Sequence, residues 1–298
     1  MNNPVLKVIG THDGSFHCDE VVAIAILSLL YDNHIIVRRT REPNILSDCD
    51  IVVDVAKGKY DHHMPGGNGK RESGTPYASC GLIWKDYGKN LLRKMKCPTE
   101  YVDECFITID TNYIEDIDKI DNGFYTHSVF DFIPLYLPRW DENFNMIDAY
   151  FWTAINCAKS LLYQIINKQI SEAKSNSLID SILEKNNCNI IELPCQNINW
   201  LDKILQYNVT AIHPIDFVVF PYPSGGYAAQ TVPPNNDDIF GKRIPFPTSW
   251  SGLTSTLSSV SGVATATFCH NNLFLVRAEN KQDVYKLCEI ATKQNPIV

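Results

Sequence analysis

The segment Val5-Leu6-Lys7-Val8-Ile9-Gly10-Thr11-His12-Asp13-Gly14-Ser15-Phe16-His17-Cys18-Asp19-Glu20-Val21-Val22-Ala23-Ile24-Ala25-Ile26-Leu27 decides the fold. Its apolar run Val5 to Ile9 stops at Gly10 and reads as a buried strand. Thr11 to Cys18 is a polar loop. Asp19 to Tyr31 then reads as a helix, with Val22, Ala25, Ile26 and Leu29 at helical spacing. Ile35 to Arg38 and Ile51 to Val55 read as two further strands. Strand, helix, strand in this order predict an α/β fold: a mostly parallel sheet with helices on both faces.

Farther along, Lys57 to Pro76 is rich in Gly, Lys and Ser and reads as a loop. Tyr77 to Tyr87 and Tyr101 to Tyr113 read as helices, the second running on toward Asp121-Asn122-Gly123, which should end it. Asp148 to Glu184 is an almost Gly- and Pro-free helical run that closes a first domain. The polar stretch Glu184 to Asn189 marks a boundary, giving domains 1–185 and 186–298. In the second, Phe217 to Phe220 and Tyr227 to Val232 form a hairpin around a Gly-rich turn. Gly252 to Val260 reads as a short helix. Thr265 to Cys269 and Leu273 to Val276 read as strands, and Glu279 to Gln294 as a last helix, so this domain is a smaller α+β unit. No internal repeat is present.

The 298 residues are 45% hydrophobic, which excludes global disorder and collagen-like repeats. A net charge of −8 argues against a positive field coating duplex DNA. An acidic chain can still handle phosphates through bound metal ions, whose charge dominates locally. The longest apolar run, Val21 to Leu30, is half of the ~20 residues that span a bilayer, so no membrane association is expected. Ten cysteines without a C-x-x-C pair fit reduced, mostly buried thiols. Met1 to Pro4 leaves no room for a presequence, so cytoplasm or nucleus is the expected compartment.

Four acid and imidazole groupings fall at predicted element ends: His12, His17 and Asp19; Asp54; Asp61-His62-His63; and Asp118 with Asp121. The crevice of an open parallel sheet lies beyond the carboxyl ends of its strands, where the first two sit. Each has an ordinary alternative: a solvated loop histidine, an N-cap at Asp54, a turn residue at Asp121. Taken together, imidazole with carboxylate suits a pair of divalent ions bridged by a shared carboxylate, and Asp54 is placed to bridge.

These motifs in this order resemble the DHH phosphoesterase superfamily, and more closely the melanocyte-proliferating-gene exonuclease family. The resemblance rests on Ile9 to Glu20, Ile51 to Val55, Tyr60 to His63, Ser79 to Ile83 and Ile117 to Gly123. In the second domain it continues through Arg243 to Pro247, Trp250 and Val260 to Gly262. The family implies a 3′-to-5′ exonuclease-like phosphodiesterase on RNA or short single-stranded nucleic acid, in nucleus and mitochondria. It further implies two divalent ions, Mn²⁺ foremost with Mg²⁺ or Co²⁺ as substitutes. His12, His17, Asp19, Asp54, His62 and Asp121 would hold them. His63 would face the scissile phosphate and Asp61 would orient an imidazole. The superfamily usually has an aspartate where this chain has His17. In the second domain the family's glycine pair is gone from Leu273 to Glu279, leaving Arg277 as a phosphate contact. Arg243 and His270 are further substrate-binding candidates.

Lys57, Lys59, Lys70 and Arg71 could add local positive charge, or be a solvated loop. Two other functions fit the residues less closely: hydrolysis of pyrophosphate or a dinucleotide, and a non-catalytic nucleic-acid-binding protein that kept the fold.

Overall fold

The computed structural model describes residues 6–295; Val5, expected to open the first strand, lies outside them. Strand β1 (Lys7–Thr11) is the centre of a three-stranded parallel sheet of order β2-β1-β3, flanked by β2 (Ile35–Arg39) and β3 (Ile51–Val52). Helix α1 (Cys18–Leu30) connects β1 to β2, and every residue from Asp19 to Ser28 is buried. A helix that is apolar on all sides belongs to a core rather than a surface. Helix α2 (Pro43–Ser47), not anticipated, starts with proline at its first position, where the missing N–H costs nothing. It covers the sheet at Gly10, where a Cβ would lie 2.8 Å from Leu46. On the opposite face, Ile9 and Ile51 join the core of α1 and α3 (Ser79–Lys94). Both faces are therefore covered, as expected of this α/β fold.

β3 is shorter than the run Ile51 to Val55. Val53 makes only a single bridge to Tyr60. Asp54, Ala56 and Lys57 then take left-handed φ values of 59°, 68° and 53°, which cannot continue a strand. The helix expected over Tyr101 to Tyr113 is two, α4 (Val102–Ile109) and α5 (Glu115–Asp121), joined by a wide π turn, Asp110–Ile114. Such turns are frequent at functional sites.

Helix α6 (Ile147–Leu183) is continuous, and the division of the chain into Met1–Lys174 and Ser175–Val298 falls inside it, ahead of the polar stretch at Glu184. The physical reason is visible along the helix: Phe151, Ile155, Leu162, Ile166 and Ala173 are buried in the N-terminal core, Ile179 and Leu183 in a C-terminal one.

The second unit holds a five-stranded sheet of order β4-β5-β6-β8-β7. It comprises β4 (Ile190–Glu192), β5 (Phe217–Pro221), β6 (Tyr227–Thr231), β7 (Ala266–Cys269) and β8 (Leu275–Ala278). β5 and β6 form the expected hairpin, and β4 adds to the edge of β5 in parallel. Helices α7 (Leu201–Thr210), α8 (Leu257–Ser261) and α9 (Lys281–Gln294) complete it. β4 and α7 were not anticipated. Among the described residues no helix is long and apolar enough to cross a membrane.

Candidate metal centre

The sheet brings three of the sequence groupings to one end and α5 supplies the fourth. His12 follows β1, and its Nε2 lies 3.3 Å from Asp54 Oδ2 and 3.2 Å from Glu20 Oε1. His62 Nε2 lies 2.9 Å from Asp121 Oδ2, 3.4 Å from Asp54 Oδ1 and 3.8 Å from Asp19 Oδ2. Asp54 thus presents one oxygen to each imidazole. The His17 ring is 5.7 Å from that of His12, and His17 forms a compact ligand group with Asp19 and Asp121 as well as with His12, Glu20 and Asp54. Asp54 sits in a left-handed conformation rare for a residue with a Cβ, a strain that clusters at functional sites.

The DHH loop is held from within. Asp61, buried, accepts from the backbone N–H of His63 at 3.0 Å, from its ring Nδ1 at 2.9 Å and from the Lys57 N–H at 2.6 Å. Asp61 therefore orients His63, whose side chain is 57% exposed, while His62 turns inward.

The electrostatics show what the cluster lacks. Burial and the charges of Asp54, Asp121 and Glu20 push the Asp19 carboxyl well above its ordinary value. Burial opposes charge on His12, yet Asp54 and Glu20 push it up to about 10; against the same opposition Asp121 and Asp54 push His62 up to about 10. Asp54, despite burial, is held below the usual carboxylate range by His12 and His62. Three buried polar atoms, Asp19 Oδ1, Asp54 Oδ2 and His62 Nε2, make no hydrogen bond. Such groups are costly without a partner. Divalent cations would satisfy all three and remove the repulsion among the carboxylates. Imidazole nitrogen with carboxylate oxygen is a donor set for Mn²⁺, Co²⁺, Fe²⁺ or Zn²⁺.

A second layer comes from the start of α3. The Ser79 hydroxyl donates to Asp54 Oδ1 at 3.1 Å and its N–H to Asp19 Oδ2 at 3.3 Å. The Gly81 N–H donates to Asp118 Oδ1 at 3.0 Å. Asp118, one turn before Asp121, is also paired with Arg71, which grips Asp110 through two nitrogens at 2.8 Å each. Asp118 is thus a scaffold residue rather than a ligand. Arg71 is no phosphate contact: its side chain is 6% exposed and committed to aspartates. Lys59 is paired with Asp86. Of the four loop cations, Lys57 lines the cavity over the cluster. This cavity of about 860 Å³ is bounded by His12, His17, Asp54, Asp61 and His63, and it also contains Arg41.

Sequence reasoning missed Glu20, Ser79 and Arg41. A glutamate three residues into a helix reads as a cap, and Ser79 and Arg41 carry no spacing signal.

Within the second unit, Arg243 is locked to Asp216 at 3.0 Å. His270 serves a turn, its Nδ1 accepting from the Asn272 N–H at 3.0 Å. Arg277 lies 3.8 Å over the Tyr222 ring and donates to Ser224 Oγ at 2.9 Å, lining a pocket of its own with Gly225 and Gly226. The three candidates do not form one cluster in that unit.

Residues 8–292 match the MYG1_exonuc family, described as "Uncharacterised protein family (UPF0160)". A MYG1 protein of Chlamydia pneumoniae is 30% identical over 98% of this chain and 99% of its own. The mouse MYG1 exonuclease is 28% identical over 97% of this chain and 85% of its own, and the human MYG1 exonuclease 29% over 90% and 81%. Among solved structures, RecJ of Thermus thermophilus in complex with Mn²⁺ aligns with 97% of this chain at 10% identity and a TM-score of 0.26. The chain spans about half of that RecJ, 52% of its length.

Proposed function

The chain belongs to the MYG1_exonuc family, and from that premise we propose that it is a nuclease-type phosphodiesterase working with two divalent ions, Mn²⁺ foremost. Its proposed substrate is single-stranded RNA or a short oligonucleotide, degraded from the 3′ end. The observation that carries the reading is the convergence of His12, Asp19, Asp54, His62 and Asp121 around buried polar atoms that lack hydrogen bonds. Relatives named MYG1 exonuclease support the nucleic-acid substrate.

His12, His17 and Asp54 would hold one ion, and Asp19, Asp54, His62 and Asp121 the other. Such ions, when bound, supply a Lewis acid for phosphoryl oxygens and lower the pKa of water to near neutrality. Asp54, with one oxygen toward each imidazole, would be shared between them. Ser79 fixes its orientation by donating to Oδ1. Asp61 accepts from Nδ1 of His63 and so fixes the ring with Nε2 free, which in the protonated ring would donate to a non-bridging phosphate oxygen. Lys57 and Arg41 bring positive charge into an otherwise acidic cavity, where a flanking phosphate would need it. Asp13, also at the cavity, lies 3.3 Å from Arg41, and both side chains are more than half exposed.

The test is product analysis. Mn²⁺-loaded protein is incubated with 5′-labelled RNA, 5′-labelled DNA, two- to five-nucleotide oligomers and pyrophosphate. A ladder shortening one nucleotide at a time from the 3′ end, with RNA preferred, is expected. Cleavage of pyrophosphate or dinucleotides alone would make it a small-molecule phosphohydrolase.

A further inference from the structure

Glu20 has a structural role that does not account for its charge. As the third residue of α1 it reaches back to the His17 N–H, with Oε1 at 2.9 Å and Oε2 at 2.8 Å. That is one half of a capping box, and a glutamine performs it equally well. The side chain is fully buried. A buried carboxylate loses far more in desolvation than a cap, about 1 kcal/mol, returns. The cap alone therefore does not account for a carboxylate at this position. Its neighbour is His12, whose Nε2 lies 3.2 Å from Oε1 and 3.3 Å from Asp54 Oδ2. One backbone donor leaves most of the carboxylate's lone pairs free. Ligand atoms of His12, His17, Glu20 and Asp54 all lie within 4.8 Å of one another, a spacing at which one ion can touch each.

We infer that Glu20 is a ligand of the ion held by His12, His17 and Asp54, bound through the carboxylate that also caps α1. The inference rests on the two-ion reading above. It gives that ion two imidazoles and two carboxylates. Asp54 is shared with the second ion, whereas Glu20 serves the first alone. The cap has a second consequence: the bond that starts α1 also fixes the ligand carboxylate beside His17, so the site is set before an ion arrives.

Glu20→Gln separates the roles, since it keeps the cap and removes the charge. Mn²⁺ binding is followed by titration calorimetry and by low-temperature EPR, beside the melting temperature of the ion-free protein. Wild type should bind two ions per chain with a spin-coupled signal. Glu20→Gln should retain one ion at wild-type affinity and bind the other at least about tenfold more weakly. The ion-free variant should still melt in one cooperative transition, which shows that the cap and the fold are kept. His12→Ala should weaken the same ion, and the double variant should be little worse than His12→Ala alone. If Glu20→Gln does not fold, Glu20→Asp, which keeps the charge but withdraws it by one methylene, must show the same one-ion loss. Wild-type affinity for both ions in the folded variant overturns the role of Glu20 while leaving the two-ion reading intact. A wild-type chain that binds no Mn²⁺ overturns both.

Discussion

Arg71 Nη1 lies 2.5 Å from Asp118 Oδ2, and the pair is seated against Gly81 because that residue has no side chain. A Cβ there would lie 1.8 Å from Asp118 Oδ2 and 2.7 Å from Arg71 Nη2. Asp118 cannot retreat, since it also accepts the Gly81 N–H, and Arg71 is held by Asp110. Through this pair the loop carrying His62 and His63 is tied to the helix carrying Asp121.

Gly81→Ala should therefore be severely destabilising although alanine favours helices. The insertion breaks a buried ion pair, and a loss of about 3–5 kcal/mol is expected. Urea unfolding measures it. A variant within 0.5 kcal/mol of wild type, taken as roughly the scale of a neutral surface substitution, would show that the pair does not close this junction.

The same junction shows how far the sequence could be read. His12, Asp19, Asp54, His62 and Asp121 stand out in the sequence as a candidate cluster because each is a metal-binding residue type at the end of a predicted element, and the fold brings them together. Arg71 was not: its charge was visible, but only the π turn at Asp110–Ile114 and the approach of α5 show that two aspartates absorb it. The parallel sheet and the β5–β6 hairpin were written in short apolar runs bounded by turn residues. β4 and α2 are three and five residues long, too short for a periodicity to register. The polar stretch Glu184 to Asn189 suggests a boundary, whereas burial along α6 changes partner earlier, between Ala173 and Ile179.

His63→Ala should spare metal binding and slow turnover. The residue is half-exposed in the cavity and is oriented by Asp61. Loss of a positioned hydrogen-bond donor to the phosphate corresponds to a roughly hundredfold fall in kcat. Mn²⁺ stoichiometry, measured alongside, should remain two. Loss of an ion would instead make His63 a ligand.

Asp54→Asn keeps the shape of the side chain and removes the shared charge. The rate should fall by about a hundredfold or more in a protein that still folds. Wild-type phosphodiesterase turnover in this variant would exclude Asp54 as the bridge.

One pH dependence belongs to the second unit. Asp283, at the start of α9, is held down to about 2 by Lys286, Thr265 and Asn280. A carboxyl depressed in the folded state contributes stability above its unfolded value near 4, and that contribution is lost as pH falls toward 2. Asp283→Asn should thus be less stable than wild type at pH 6, with the difference in urea midpoint shrinking between pH 4 and 2. A constant difference across that range would show that the ionised carboxylate is not what holds this helix start.

The central claim is tested most directly by anomalous diffraction from crystals grown with Mn²⁺. The account predicts two manganese peaks, one among His12, His17 and Asp54 and the other among Asp19, Asp54, His62 and Asp121, with Asp54 touching both. A map with no manganese beside Asp54 and His62 would contradict it.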